Sequence, residues 1–335
     1  MYGIEEKKKY FSVPTESVMG TPEDKWGYMY KRLDNFLAVI NITVKGIKPG
    51  RTVDIGMTSD LHFNYLNTQD FEEKTPAVIS SSKNRVWLRG GESIGNAIRA
   101  LEFCSHTDQT VVCGDILDYF THGAMECAQK YLFNAHPEAL ACIGGHELTC
   151  RMQGEIEDAL PVECKKKALA EIWNNDIEYC SRLIADRVLV VVMNNDCGVY
   201  TAEQCQKMEN DIQRARDNGY TVLIFQHEPI STGNPDDVDV DFLRVGDPNV
   251  PHDFFNDLAG NADCGEGTER MYRCITTAAD VVKGIFCGHW HNDIYTEVLA
   301  SERTDDGSEK KTVIPQYIIT SNAYENGTVM HINIV

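Results

Sequence analysis

The chain has 335 residues, of which 42% are hydrophobic and 24% charged, a globular composition that excludes a disordered or fibrous protein and suffices for a large α/β domain. Its formal net charge of -20 argues against long polyanionic partners, although bound cations can still draw a small phosphate into an acidic protein. Twelve cysteines without a CxxC pair, a charged N-terminus (MYGIEEKKKYFSVPT) and the lack of an apolar run of 18 residues predict reduced thiols, a cytoplasmic location and no membrane span.

Residues 1 to 35, with Pro14, Gly20 and Pro22, read as a polar N-terminal arm ahead of a single domain over 36 to 335. The β-branched runs FLAVINITVKG, from Phe36, and RTVDIGMTSDLH, after the Lys48-Pro49-Gly50 turn, read as neighbouring strands. Further strands are expected at Thr110 to Cys113, Ala139 to Ile143, Val188 to Asn194, Thr221 to Gln226, Val281 to Cys287 and Gln316 to Ser321. Helices are expected at Glu92 to Cys104, Ala124 to Asn134, Glu163 to Ile184 and Ala202 to Asn218. Thr201 and Gln204 have the spacing of a capping box for the last of these. Residues 229 to 270, rich in Asp, Asn, Gly and Pro, read as an insertion that lids or borders a site, and SERTDDGSEKK at 301 to 311 as a hairpin tip. Alternating strands and helices imply an α/β layered sheet.

Chemistry-bearing residues fall at five strand ends. Asp60 and His62 close MTSDLH, where alternate positions share one face of the strand end. The strand TVVC runs into Gly114 and Asp115, with Asp118 three residues on, and ALACI runs into Gly144, Gly145, His146 and Glu147. VLIFQ is followed by His227, and GIFCGHWHND supplies His289 and His291. Each alone reads more readily as a turn former or a half-buried histidine, as His106, His122, His136, His252 and His331 do. Together they point to a ligand site, because ligands of open α/β sheets gather beyond the carboxyl ends of strands. A carboxylate behind a glycine, as at Asp115, is suited to bridging two cations.

In order, these motifs (D-x-H, GD-x-x-D, G-x-H-E, H, G-H-x-H) resemble those of the calcineurin-like metallophosphoesterase superfamily from about Arg51 to Ile334. The resemblance implies a four-layer α/β/β/α sandwich of two mixed sheets flanked by helices. It also implies a dinuclear centre of Mn, Fe or Zn and hydrolysis by a metal-activated hydroxide. Asp60, His62 and His291 would hold one metal, Asp115 would bridge, and His227 and His289 would hold the second. His146 would act as general acid or charge stabiliser, oriented by Asp118. One position departs from the pattern: Gly145 stands where the superfamily has an asparagine ligand, so the second position is expected to be weaker unless Asn64, Asn292 or an acid of the 229 to 270 segment replaces it.

The resulting expectation is metal-dependent hydrolysis of a small phosphoester, mono- or diester, with Arg151 among the candidates to hold phosphate. The alternatives are a metal- or phosphate-binding protein with weak or no turnover, prompted by Gly145, and a nuclease, which the acidic charge disfavours.

Overall fold

The computed structural model describes residues 37–74, 76–88, 93–148, 160–195, 199–234, 265–291, 293–304, 307–323 and 328–335. The N-terminal arm, Arg151, Asn292 and the middle of the 229 to 270 segment lie outside them.

Two mixed sheets face each other. The first has the order β1 (Ala38–Val44), β11 (Thr328–Ile334), β2 (Val53–Thr58), β3 (Gln109–Cys113), β4 (Leu140–Cys142). The second runs β5 (Tyr179–Ile184), β6 (Val188–Met193), β7 (Thr221–Phe225), β8 (Val282–Cys287), β10 (Glu309–Ile318), β9 (Ile294–Arg303). Within them β2, β3 and β4 are parallel neighbours, as are β6, β7, β8 and β10. These strands are apolar at successive positions because both faces are covered.

The period of two assigns each side chain to a layer. Ile55, Met57, Val111, Val190, Leu223, Phe225 and Phe286 fill the space between the sheets, where the Phe225 and Phe286 rings stack at 5.0 Å. Val112 and Ala141 point outward, under α3 (Ser93–Ser105), α4 (His122–Ala128) and α6 (Val162–Ile172). On the other side Leu189, Val191, Val222 and Ile224 meet α7 (Ala202–Asn218) and α8 (Gly265–Thr276). The architecture is therefore the α/β/β/α sandwich that the motif resemblance implies. Two short helices, α1 (Thr68–Glu73) and α2 (Pro76–Leu88), follow β2, and α5 (Gly145–Leu148) follows β4.

Several expectations change. The runs expected to pair, β1 and β2, are separated by β11, which lies parallel to β1 and antiparallel to β2. The helix expected over 163 to 184 ends at Ile172, and its last six residues form β5, joined to β6 through Ala185 and Asp186 at φ 50 and 54. With Arg187 N donating to Ile184 O at 3.1 Å, this is a tight turn whose left-handed pair is usually Asn-Gly. The helix expected over 124 to 134 finishes as a π-turn, Gln129–Phe133. Residues 265 to 270 of the expected insertion open α8, and residues 231 to 234 run beside β9, with Leu299 N donating to Thr232 O at 2.7 Å. The hairpin at 301 to 311 is present, its outer residues being the ends of β9 and β10.

Helix α7 begins and ends where its caps require. Gln204 N donates to Thr201 Oγ1 at 3.2 Å, Thr201 N donates to Gln204 Oε1 at 2.7 Å, and Gly219 closes the other end at φ 68. Thr201→Ala removes one arm of this box at a cost of about 1 kcal/mol. The melting temperature should then fall by roughly 2 °C in a thermal unfolding scan.

Candidate metal centre

All five strand ends that carry site residues meet at one edge of the sandwich. Asp60 and His62 follow β2, Asp115 and Asp118 follow β3, His146 lies in α5 after β4, His227 follows β7, and His289 and His291 follow β8. Among the described residues, seven non-glycines have positive φ, and five of them are Asp60, His62, Asp115, His289 and His291. Left-handed backbone of this kind costs about 1 kcal/mol per residue and persists only where the surroundings impose it. Here the loops are laced together: Asp60 N donates to Gly114 O (3.0 Å), His62 N to Asp115 O (2.9 Å) and Gly288 N to His227 O (3.0 Å).

Glycine is needed where ligands pass close to the backbone. Gly114 sits at φ 75, and a Cβ there would lie 2.7 Å from the His227 ring. At Gly144 a Cβ would meet Asp115 Oδ1 at 2.5 Å and His227 Cδ2 at 2.7 Å.

The donors are mutually spaced as neighbours around a cation. His291 Nε2 lies 3.0 Å from Asp60 Oδ1 and 3.2 Å from His62 Nε2. His227 Nε2 lies 3.2 Å from Asp115 Oδ2 and 3.3 Å from His289 Nδ1. Ligand bonds of about 2.1 Å put adjacent donors roughly 3.0 to 3.4 Å apart in octahedral or tetrahedral coordination. Asp60, His62, Asp115 and His291 form one group whose ligand atoms all lie within 4.8 Å of each other. This donor set fits a metal. At the adjoining position stand Asp115, His227 and His289, and Gly145 offers no side-chain donor.

Ring orientations are fixed from behind, as metal-binding imidazoles require. His227 Nδ1 donates to Cys113 O at 2.8 Å, which turns Nε2 toward Asp115. His62 Nδ1 lies 3.1 Å from Asp118 Oδ1, which turns its Nε2 toward His291. The Asp118 carboxylate therefore serves His62, and it is the main-chain oxygen of Asp118 that receives His146 Nδ1, at 2.7 Å. Asn64 is not the replacement ligand for Gly145, because both ends of its amide are engaged, with Asp118 and with Ser82.

One supporting residue is legible in the sequence only as the last position of the third motif, with no role attached. Glu147 is fully buried and accepts from the backbone N–H groups of Asp115 (3.1 Å), Leu117 (2.7 Å) and Gly144 (2.6 Å). It ties the Asp115 loop to the His146 loop. Burial and the nearby Asp115 charge raise its pKa to about 8.

Burial lowers the His62 pKa to about 4, against the pull of Asp118, so its ring is neutral at pH 7. His227 goes the other way. Burial opposes its charge, but Asp115 and Asp60 outweigh burial and raise its pKa well above 6.5. Asp115, although desolvated, is correspondingly held well below the usual carboxylate range by His227, His146 and His62. A cation at this position must displace the His227 proton. Mn2+ binding should therefore release about one proton near pH 7 and tighten as pH rises, measurable by calorimetry in buffers of different ionisation enthalpy. The metal-free protein should show the reverse trend. A raised folded-state pKa contributes stability in full below about pH 6.5 that is lost as pH rises through the folded value.

No family model and no curated protein matches the sequence. Among solved structures, the chain is similar to a dimetal phosphatase from Danio rerio, with 12% identity, a TM-score of 0.43, and 81% of this chain and 88% of that chain covered. It is also similar to a proposed 5'-nucleotidase from Staphylococcus aureus, with 9% identity, a TM-score of 0.35, and 80% and 55% covered. The two-sheet sandwich, with acids and histidines at five strand ends, is the fold that the motif resemblance to the calcineurin-like metallophosphoesterases implies.

Proposed function

We propose that the protein is a metal-dependent hydrolase of small phosphoesters. The observation that carries this reading is the donor spacing at the strand ends, where Asp60, His62, Asp115 and His291 surround one position and Asp115, His227 and His289 flank a second. Metals bound there would supply Lewis acidity toward phosphoryl oxygens and lower the pKa of water. Mn, Fe and Zn all suit imidazole and carboxylate donors.

The chain's own residues supply the rest. Asp115 lies between the two positions, its Oδ2 3.2 Å from His227 Nε2 and 3.9 Å from His62 Nε2. His146 is partly exposed, and with Nδ1 held by the Asp118 carbonyl its Nε2 lies 4.0 Å from Asp115 Oδ2, beside the metal positions. That nitrogen is placed to give a proton to a departing alkoxide, the general-acid role in which His is used most often. The acidic surface favours a small ester over nucleic acid, and the free thiols of the described cysteines suit a reducing compartment such as the cytoplasm. No helix among the described residues is long and apolar enough to cross a membrane.

A panel of aryl phosphate monoesters and diesters, run with Mn, Fe and Zn, tests the reaction class. The expected result is turnover of at least one ester that chelation abolishes and that Asp115→Ala lowers by about 10^3-fold or more, equivalent to roughly 4 kcal/mol of transition-state stabilisation. Activity that survives Asp115→Ala would remove that residue from between the metals.

Gly145 favours one second reading, a metal- or phosphate-binding protein with little turnover. Gly145→Asn separates the two. A large gain in metal uptake and in hydrolysis of an aryl phosphate marks an enzyme crippled at Gly145, whereas robust hydrolysis by the parent chain sinks the binding-only reading.

A further inference from the structure

A buried polar chain runs from helix α2 to the first metal position. Ser82 Oγ, on α2, donates to Asn64 Oδ1 at 2.5 Å, and Asn64 Nδ2 donates to Ser82 O at 3.1 Å and to Asp118 Oδ2 at 2.6 Å. The other oxygen of Asp118 lies 3.1 Å from His62 Nδ1. Ser82, Asn64, Asp118 and His62 are 1%, 8%, 1% and 0% exposed, so water does not stand in for these contacts. The amide orientation is fixed by its surroundings, since a flip would set Asn64 Oδ1 against the Asp118 carboxylate and Nδ2 against the Ser82 hydroxyl.

We propose that Asn64 is a positioning residue for the metal centre: with Ser82 behind it, it holds the Asp118 carboxylate in the rotamer that fixes the ring and tautomer of His62. An ionised carboxylate 3.1 Å from His62 Nδ1 favours by its charge the tautomer protonated there. The Nε2 lone pair then faces Asp60, Asp115 and His291. Loss of the Asn64 amide takes a 2.6 Å donor from a buried oxygen and lets the carboxylate turn away from His62. The same acid offers its main-chain oxygen to His146, so the chain reaches both histidines. α2 thereby becomes part of the support of the site, although it contributes no ligand.

The inference rests on the metal reading above, and calorimetric titration of the full chain with Mn2+ keeps the two apart. Wild-type protein should take up Mn2+, and a flat titration would overturn the metal reading and this proposal with it. If the wild type binds, Asn64→Ala should weaken the tightest event by about 10- to 100-fold, the effect typical of a partner behind a ligand. Ser82→Ala should weaken it less. The double variant should bind no more weakly than Asn64→Ala alone, because the two groups act in series. Should Asn64→Ala fail to fold, Ser82→Ala decides on the same criterion. Variants that fold yet bind Mn2+ as the wild type does would overturn the proposal, whatever their melting temperatures.

Discussion

The arrangement depends on one electrostatic requirement, the burial of negative charge. Asp60, Asp115 and Asp118 are 0%, 3% and 1% exposed, in a chain of net charge -20. Buried carboxylates are costly unless cations or donors meet them. The protein meets them with histidines and with backbone amides: His289 N on Asp60 Oδ2 (3.1 Å) and His146 N on Asp115 Oδ1 (3.0 Å). His227, its pKa raised well above 6.5, brings positive charge beside these three carboxylates, which outnumber it. Bound cations would relieve that imbalance, which makes cation binding and stability of this edge a single property.

That requirement explains the backbone. A straight strand end presents alternate side chains to one side, but five strand ends must send seven side chains to a common centre. Left-handed residues at Asp60, His62, Asp115, His289 and His291 turn those side chains inward. The strain is held by loop-to-loop hydrogen bonds and by the segment before β11. There Ser321 Oγ donates to Asp60 O at 2.9 Å, and Thr320 Oγ1 donates to His291 O at 2.7 Å. The ligand loops are thus clamped from the connection between β10 and β11, which carries no ligand.

Much of this is legible in the sequence, and the limits are physical. The five strand ends are readable because continuous apolar runs give way to an acid or a histidine, in three cases directly behind a glycine (Gly114, Gly145 and Gly288). Helix α7 is readable to the residue because its caps, Thr201 with Gln204 and Gly219, are local signals. The pairing of β1 with β11 is not, since Ala38 and Thr328 are partners across almost the whole chain. Strand β5 was hidden by Ile177, Leu183 and Ile184, whose spacing also suits a helix, and by a turn built from Ala185 and Asp186 without glycine. Within the site, residue types revealed the ligands but not the division of labour at Asp118, whose carboxylate and carbonyl serve different histidines. Glu147 is visible as the last residue of G-x-H-E but its role is not, because its partners are backbone amides, and Asn64 is visible only as a spare amide.

The insertion of β11 between β1 and β2 has a consequence for biosynthesis. During vectorial synthesis the first sheet has a vacant slot beside β2 until residues 328 to 334 emerge, and the Ser321 clamp on Asp60 arrives at almost the same moment. The nascent chain consequently carries three of the four ligand-bearing strands and an open β2 edge before the last metal ligands, His289 and His291, exist. Long-range closure of this type is slow and leaves strand edges exposed. Completion of the first sheet therefore comes after the last ligand, His291, and a chain that stops before residue 321 holds every ligand without the clamp on Asp60 or the strand between β1 and β2.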